Sequence, residues 1–563
     1  MRPAPDDLRL TRAEAVACTL LVVPAATVLL AYVLDLAGVR FLPWPTLALV
    51  VGTAAAAARV LWPRSRPVPG ELALLALVVV CVAAWLLWLA RPALLPLSTG
   101  PDLTHHLMLV EYIEQHWHFV HDRALADSLG EMAQYTPGSH VLAALGGAWS
   151  GTDGTRALHT MQVLLVALKA GFLLLIGVRL LPVDAPRPLA VAGVLLLLAA
   201  PRYALGAFTE YGFVAQVVAE VFAVAMWWAV VAWDAHPDWR VALAFSVSGA
   251  AAFLSWPVYV GPPVAAFALV LVLRASTPLG ARLRDLCLAF GPFGLVALSY
   301  LLPRLGWLRM AGTGGDAPWP TVAAYSAPLT LLAVCGVALA VWRRRGRATA
   351  VFALVCVAQA VSLYVLAVRA GAEQPYMAEK MCYLLLWPMA GLAVMTIGDA
   401  WSFARSGTHL PHRLQTALTG TSASWLLVFV ILLAVALPLA RKPQRLHPLP
   451  PALSVPVYDA GRWARAHLPA QCIEYLVGDD ETSYWLHLAV LGNPRRGPRT
   501  ADWSTYDPKD AIVRWLTPGG LPWAIADLSS LPRTVREELD VAQFFGTAAI
   551  VKRRGATSCD PAP

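Results

Sequence analysis

Residues 71–103 read ELALLALVVVCVAAWLLWLARPALLPLSTGPDL. Positions 71–90 are apolar apart from Glu71, and about 20 apolar residues in a helix span the ~30 Å hydrocarbon core of a bilayer. A short loop then leads to Asp102. This stretch therefore predicts a membrane-spanning helix with an acidic residue just beyond its end.

The composition of the whole chain agrees with that local pattern. Of 563 residues, 58% are hydrophobic and only 14% are charged, and the mean hydropathy is +0.60. A soluble domain carries roughly 25% charged residues, so a soluble enzyme is excluded. The net charge of +8 comes largely from arginines that cluster between apolar runs. Orientation in a membrane explains these arginines, and no nucleic-acid partner is expected.

Thirteen apolar runs are candidates for membrane spans, which predicts an all-α polytopic bundle over residues 1–440. The pair 240–255 and 257–274 is short and is joined at Trp256-Pro257, so it is expected to form a hairpin. The runs lie near 15–35, 42–62, 71–90, 158–181, 187–202, 211–232, 240–255, 257–274, 285–302, 323–342, 350–369, 381–398 and 422–440.

The distribution of basic residues predicts the orientation of the bundle. If the N-terminus is cytoplasmic, the alternate loops on that side hold seventeen basic residues, and the opposite loops hold nine. An excess of Lys and Arg marks the cytoplasmic side. We therefore expect a multi-pass protein of the plasma membrane with a cytoplasmic N-terminus and an extracytoplasmic C-terminal domain.

Two segments, 91–157 and 441–563, are too long to be simple connections and are predicted to be external. The first has an apolar stripe at three- and four-residue steps, which predicts an amphipathic helix on the membrane surface. A second apolar piece, 139–149, is too short to span and is predicted to be re-entrant or interfacial. The stripe consists of Leu103, Leu107, Val110, Ile113, Trp117 and Val120.

The segment 441–563 has the texture of a small soluble α/β domain. We expect a helix near 456–468 and strands near 473–477, 524–528 and 548–551. Cys472 and Cys559 both lie in this segment. In an oxidising compartment they can form a disulfide, and two free thiols are an equal alternative.

Asp102 is the leading candidate for a catalytic residue, because charges at the edge of a membrane tend to mark function. Its carboxylate can act as a general base that accepts a proton from a sugar hydroxyl. The alternative is structural, since an Asp that follows Gly-Pro and precedes an apolar-periodic helix is a good N-cap.

Lys380 is the second candidate, at the external end of the run 381–398. Its ammonium can neutralise the phosphate of a lipid-linked leaving group. The alternative is a lysine that snorkels to the interface with Glu379 as its partner. Glu210, at the mouth of the run 211–232, is a third candidate.

Lys169 and Glu220 lie in the middle of apolar runs. Intramembrane charges usually face the bundle interior and pair with each other. We expect a structural ion pair, with a proton pathway as the alternative.

Five histidines crowd the first external segment, yet no pair has the HExxH spacing of a zinc site. We interpret them as interfacial histidines without a metal, so a divalent metal is not indicated. The chain also lacks a Walker loop, a GxGxxG motif after a strand and a GxSxG motif, so nucleotide-driven transport and serine hydrolysis lack their signatures. The histidines are His105, His106, His116, His118 and His121.

This layout resembles the GT-C superfamily of integral-membrane glycosyltransferases, which use polyprenyl-phosphate-linked sugars. The residues that carry the resemblance are Gly100-Pro101-Asp102 through Tyr112 and the Tyr135-Thr136-Pro137-Gly138 segment. In layout the chain is most similar to cell-wall arabinofuranosyltransferases. Many relatives have two neighbouring acidic residues in this loop, whereas the next carboxylates here are Glu111 and Glu114.

The resemblance implies an inverting transfer with a polyprenyl-phosphate sugar as donor, a cell-envelope glycan, lipid or protein as acceptor, and no certain cofactor. Asp102 would deprotonate the acceptor hydroxyl, and Lys380 would meet the charge of the leaving phosphate. Two other functions remain open from the sequence: a flippase for a lipid-linked glycan, which would use Lys169 and Glu220, and a non-catalytic subunit of an envelope complex. The further residues expected at the substrate site are Glu210, His105, His106 and Tyr135.

Overall fold

The structure is a computed structural model. It describes residues 10–97, 101–122, 125, 129–185, 187–191, 212–274, 277–304, 327–343, 345–372, 374–406, 447–493, 506–517, 520–537 and 539–554. Glu210, the predicted span 422–440 and most of the predicted span 187–202 lie outside the described residues.

Long apolar helices dominate the chain up to residue 406. Among the described helices, eight are long and apolar enough to cross a membrane, and three shorter apolar helices accompany them. The predicted polytopic helical bundle is confirmed, whereas the count of thirteen spans is not. The helices are α1 (Arg12–Leu36), α2 (Pro43–Leu61), α3 (Glu71–Leu89), α4 (Pro101–His116), α5 (Gly138–Ser150), α6 (Gly154–Leu180), α7 (Val214–Ala235), α8 (Trp239–Ser255), α9 (Gly261–Leu273), α10 (Leu279–Leu301), α11 (Ala327–Arg343), α12 (Arg347–Arg369) and α13 (Tyr376–Ser406).

The distribution of exposed apolar side chains shows which helices face lipid. Val80 on α3, Leu295 on α10 and Val341 on α11 are 62%, 71% and 76% exposed. In water, exposed apolar patches of this kind would mark an interaction site, whereas a bilayer covers them at no cost. Helix α7, in contrast, is buried over the whole of its most apolar stretch, so it forms the centre of the bundle.

An ion pair joins three helices in the bundle interior. Lys169 Nζ on α6 lies 2.5 Å from Glu220 Oε2 on α7, and Gln216 donates to the other oxygen of Glu220 at 3.0 Å. The same ammonium lies 4.5 Å from the centre of the Trp387 ring on α13. The predicted structural pair is confirmed.

Arginine–carboxylate pairs tie the helices together at one end of the bundle. Glu14 near the start of α1 accepts hydrogen bonds from Arg179 at the end of α6 and from Trp228 Nε1 on α7. Asp234 at the end of α7 pairs with Arg347 at the start of α12. This end carries the loops predicted to be cytoplasmic. The side of the membrane that it faces stays a prediction.

The predicted interfacial helix is present as α4, but the structure places it inside the protein. Leu107 and Ile113 are fully buried, and Thr104 and His106 on other sides of the helix are also buried. Helix α4 packs against α5 on one side and against the segment Leu486–Val490 near the C-terminus on the other. Protein therefore covers the apolar stripe of α4, and the position of this helix at the membrane surface stays a prediction.

A small mixed sheet forms the C-terminal part of the structure. Strand β1 pairs with β2 in parallel, and β4 pairs antiparallel with both β2 and β3, giving the order β1-β2-β4-β3. The sequence predicted three of these strands and the first helix but missed β3. The elements are α14 (Val455–His467), β1 (Ile473–Leu476), α15 (Asp480–Trp485), α16 (Pro508–Leu516), β2 (Trp523–Asp527), α17 (Arg533–Glu537), β3 (Asp540–Phe545) and β4 (Ala548–Lys552).

Polar contacts hold this C-terminal part against α4. Arg465 Nη2 lies 2.6 Å from Glu111 Oε1, and Arg462 Nη1 lies 3.1 Å from Glu111 Oε2. Both arginines lie on α14. Cys472, just before β1, is disulfide-bonded and buried. The predicted partner Cys559 lies outside the described residues.

Candidate functional site

The candidate site lies at the end of the bundle opposite the Glu14 and Asp234 ion pairs. Here α3 has ended, and α4, α7 and α13 begin. Lys380 lies in the first turns of α13, and Asp102 lies in the first turn of α4. The Asp102 carboxylate is the leading negative charge acting on Lys380. The two principal residues predicted from the sequence therefore belong to one electrostatic neighbourhood, although 278 positions separate them.

Lys380 is buried in an aromatic cage. Its Nζ lies 2.7 Å from the ring centre of Phe213, 4.9 Å from that of Tyr376 and 5.7 Å from that of Tyr383. The residue is 1% exposed, and no atom of the described residues forms a hydrogen bond with Nζ. Burial of a charge costs several kcal/mol, and aromatic faces return about 2 kcal/mol. The cage thus encloses a basic side chain whose charged form an incoming anion would stabilise.

The position of Lys380 bears on one of the two interpretations of its sequence, the snorkelling lysine. A snorkelling lysine extends to water and keeps its head group hydrated. Here the ammonium is enclosed, and the backbone carbonyl of Lys380 accepts a hydrogen bond from the Tyr259 hydroxyl at 2.9 Å. The side chain therefore points into the protein, and snorkelling does not describe it.

Asp102 is accessible where Lys380 is not. Its side chain is 50% exposed, and it is the second residue of α4, inside the first turn rather than before it. The N-terminal end of a helix stabilises a carboxylate through the unpaired amides and the helix dipole. An exposed carboxylate at this point can accept a proton from a bound hydroxyl.

Two buried histidines continue from Asp102 into the protein. His106 Nε2 lies 3.8 Å from Asp102 Oδ2, and His106 Nδ1 lies 2.9 Å from His140 Nε2. Burial lowers the pKa of His106, and burial followed by the charge of His106 lowers the pKa of His140 well below its usual value. Both rings are therefore neutral at pH 7.

His140 has a second partner besides His106, because its Nδ1 lies 3.3 Å from the Ser139 hydroxyl. The contact between His106 Nδ1 and His140 Nε2 leaves His106 Nε2 facing Asp102. A ring nitrogen and a carboxylate oxygen 3.8 Å apart can both form a hydrogen bond with one bound hydroxyl group.

His105 is fixed on both ring nitrogens. Its Nδ1 lies 2.7 Å from Glu131 Oε1, and its Nε2 lies 2.7 Å from the hydroxyl of Tyr484 in α15. Since both nitrogens already have partners within the protein, the ring connects α4 to the C-terminal part. It positions the first turns of α4 instead of offering a free ligand atom.

Tyr135 joins the site through ring contacts. Its ring lies edge-on to His106 at 5.1 Å and 6.1 Å from the ring of Trp256. Burial raises the pKa of Tyr135 well above its usual value, and the charge of Asp102 adds to this effect. The phenol thus stays protonated and can serve as a hydrogen-bond donor.

The Tyr-Thr-Pro-Gly segment has a structural reason for its residue types. Thr136 Oγ1 donates to the carbonyl of Ser255 at 2.7 Å. A Cβ at position 138 would lie 2.8 Å from the carbonyl oxygen of Leu254, so glycine is needed for this close approach. The segment anchors the start of α5 to the end of α8 and thereby places Tyr135 and His140.

The structure thus brings together most of the residues singled out in the sequence. Asp102, His106 and Tyr135 are in contact or close proximity, and Lys380 is within their electrostatic reach. Glu210 lies outside the described residues. No sequence motif marks the further members of the site, and they are distant from one another in the chain. These members are Glu131, His140, Phe213, Tyr376 and Tyr484.

Within the part of the chain that the structure describes, no group of three potential metal ligands includes Asp102 or Lys380. Among the described residues, three potential ligands come together at Asp35, His118 and His121, beyond the other end of α4.

No protein-family model matches this sequence, and no curated protein matches it. Several solved structures are similar to it. ArnT from Cupriavidus metallidurans, in the apo state, is 16% identical with a TM-score of 0.45, and the match covers 86% of this chain and 97% of ArnT. The archaeal oligosaccharyltransferase AglB from Archaeoglobus fulgidus, in complex with an inhibitory peptide and a dolichol-phosphate, is 12% identical with a TM-score of 0.43, covering 82% of this chain and 70% of AglB. The apo form of an Archaeoglobus fulgidus oligosaccharyltransferase is 13% identical with a TM-score of 0.44, and the match covers 81% of this chain and 70% of that oligosaccharyltransferase.

Proposed function

We propose that this chain is a membrane glycosyltransferase that moves a sugar from a polyprenyl-phosphate carrier to a cell-envelope glycan, lipid or protein. The observation that carries the proposal is the enclosed ammonium of Lys380, which has no hydrogen-bond partner among the described residues. A buried cation at the end of a membrane bundle suits an anionic group on a membrane lipid. The phosphate of a lipid-linked sugar has this chemistry.

The accessible carboxylate supplies the second half of the reaction. Asp102 accepts the proton of the acceptor hydroxyl while the hydroxyl oxygen forms a bond to the anomeric carbon. The bond from this carbon to the phosphate oxygen breaks on the opposite face, so the configuration inverts. Polyprenyl phosphate leaves with the electron pair, and Lys380 stabilises the additional negative charge. Atoms and charges balance without a metal, a nucleotide or a redox cofactor.

His106 and His140 fit this scheme as positioning groups. His106 Nε2, next to Asp102, gives the acceptor hydroxyl a second polar partner and helps to hold it against the carboxylate. His105 holds the same turn of α4 through Glu131 and Tyr484. The base is thus held by side chains from three separate parts of the chain.

The proposal also covers the identity of the transferred sugar and the side of the membrane on which transfer takes place. We propose a pentose or hexose donor, with arabinofuranose favoured by the sequence resemblance. Transfer takes place on the external face, with the C-terminal domain of residues 441–563 external and the N-terminus cytoplasmic. Glu210 is proposed as a further substrate residue because of its place in the sequence.

Sugar transfer by the Asp102→Asn variant tests the proposal. The purified protein is supplied with radiolabelled polyprenyl-phosphate pentoses and hexoses, and transfer to acceptor or to water is measured. Loss of a general base lowers the rate by about 10²–10⁴. The matched control is Asp510→Asn in the C-terminal part, which removes an exposed carboxylate of α16. Undiminished transfer by Asp102→Asn would remove this residue as the base. Wild-type protein that translocates a labelled lipid-linked sugar across vesicles without cleaving it would instead indicate a flippase.

A further inference from the structure

A second group of polar side chains lies away from the proposed transfer site. Asp35 is close to the C-terminal end of α1, and His118 and His121 lie in the segment that follows α4. One ligand atom from each side chain lies within 4.8 Å of the others. Helix α4 rises about 1.5 Å per residue, which places its end about 20 Å from Asp102. The two sites are therefore separate.

Asp35 is the buried member of the group. Its side chain is 6% exposed. One oxygen, Oδ1, accepts the backbone N–H of Phe119 at 2.8 Å and lies 3.1 Å from His121 Nε2. Apart from His121, no basic side chain among the described residues pairs with Asp35. A buried carboxylate is costly unless a positive charge or a metal ion accompanies it, and a cation at this point would meet that need.

The ring of His118 is oriented by the backbone. Its Nδ1 lies 2.7 Å from the carbonyl oxygen of Phe119. A carbonyl only accepts, so Nδ1 carries the hydrogen and Nε2 keeps its lone pair. Metal-binding histidines commonly have this arrangement, in which one nitrogen donates to the protein and the other binds the ion.

The segment that carries the two histidines is held in a strained conformation. Trp117 has a φ of +53°, the left-handed region that a bulky residue rarely adopts. Its carbonyl accepts a hydrogen bond from the Phe41 amide at 3.0 Å, and the rings of Phe41 and Phe119 are 5.0 Å apart. Strained backbone persists where surrounding contacts fix it, and it is common at binding sites. The loop after α4 is thus fixed against the end of α1.

We propose that Asp35, His118 and His121 form a binding site for zinc or a similar divalent transition metal. Two neutral imidazoles and one carboxylate are a typical zinc ligand set, whereas magnesium and calcium prefer oxygen ligands alone. With zinc–ligand bonds of about 2.0–2.1 Å and tetrahedral angles, ligand atoms lie about 3.3 Å apart. The 3.1 Å between Asp35 and His121 is close to this value.

The ion has a route of entry and an open position. His121 is 59% exposed, so solvent reaches the site from its side. The ligand atom of His118 lies within 4.8 Å of those of Asp35 and His121. Water fills the fourth position, and the bound ion fastens the end of α4 to the end of α1.

Zinc binding to the purified full-length protein, without a histidine tag, tests this proposal. Metal-stripped protein in detergent micelles is titrated with Zn²⁺ against a chromogenic zinc indicator. We expect one ion per chain, and an affinity at least 10-fold lower for His118→Ala and for Asp35→Asn. The matched control is His467→Ala, since this exposed histidine also donates through Nδ1 to a backbone carbonyl but lies on α14. Equal affinity of wild type and His118→Ala, or no binding by wild type, would overturn the proposal.

A measurement on the wild type alone guards against variants that fail to fold. Co²⁺ in place of Zn²⁺ gives a visible absorption spectrum that reports coordination geometry. An intense spectrum typical of four-coordinate cobalt supports the site, and the weak spectrum of hydrated or octahedral cobalt contradicts it. Neither experiment depends on sugar transfer, so the outcome is independent of the proposed function.

Discussion

Replacement of Lys380 by methionine should separate donor recognition from folding. Methionine has a similar length and shape but no charge. A phosphate oxygen 4 Å from Nζ gains about 4 kcal/mol at an effective dielectric constant of 20, and loss of one partner of a buried charge pair costs about 2–5 kcal/mol. We therefore expect kcat/KM for the lipid-linked donor to fall by about 10²–10³.

The stability of the same variant should not fall. In the substrate-free protein the ammonium is buried with no hydrogen-bond partner among the described residues, so its removal relieves a desolvation cost. The Tm of Lys380→Met in detergent should equal or exceed that of the wild type.

Steady-state transfer assays with varied donor and varied acceptor measure the effect. The matched control is Lys509→Met, an identical substitution at an exposed position of α16, which should leave both kinetic parameters unchanged. If Lys380→Met has a donor kcat/KM within threefold of the wild type, the ammonium does not bind the phosphate. A large loss confined to the acceptor KM would refute the same reasoning.

Three further predictions concern the ion pairs and the buried acids. Lys169→Met should lower the free energy of unfolding by about 3–5 kcal/mol, because Glu220 is left buried without its cationic partner. The double variant that also carries Glu220→Gln should recover part of the lost Tm. An unchanged Tm in Lys169→Met would contradict this prediction. Burial raises the pKa of Glu114 from 4.5 to about 8. Between pH 4.5 and pH 8 the folded protein therefore keeps a proton on Glu114 that the unfolded chain has lost. The free energy of unfolding should fall by up to about 3 kcal/mol as the pH rises from 6 to 9. Glu114→Gln should flatten the profile of Tm against pH, and parallel profiles would be inconsistent with the shift. Glu111→Gln should speed limited proteolysis of the C-terminal part, because it weakens the contacts with Arg462 and Arg465. The control Glu537→Gln, in an exposed ion pair, should leave the cleavage rate unchanged. Equal cleavage rates in the two variants would argue that Glu111 does not hold the C-terminal part against α4.

The sequence predicted those features that depend on local pattern. Apolar runs of about 20 residues correspond to helices such as α1, α3 and α12, since length and hydropathy are sufficient to define them. The pairing of Lys169 with Glu220 followed from the cost of isolated charges in a membrane. Strand β3 was missed because most of its residues are exposed, so it lacks the apolar pattern of a buried strand.

Long-range contacts account for the rest of what the sequence could not predict. His105 and Tyr484 are 379 positions apart, and no motif links them. The packing of α4 against the C-terminal part was not predicted for the same reason. A stripe of apolar residues shows that one face of a helix is covered, but it does not distinguish lipid from a distant part of the same chain.

The enclosure of α4 has a consequence for how the two halves of the chain depend on each other. The boundary proposed between residues 440 and 441 follows a change in composition from membrane helices to a water-exposed region. The helix that bears Asp102 nevertheless packs against residues that follow this boundary. A polypeptide shortened before residue 447 would lack the arginine partners of Glu111 and the Tyr484 partner of His105. Synthesis of the membrane half alone would therefore leave the candidate site without the contacts that residues 447–493 supply.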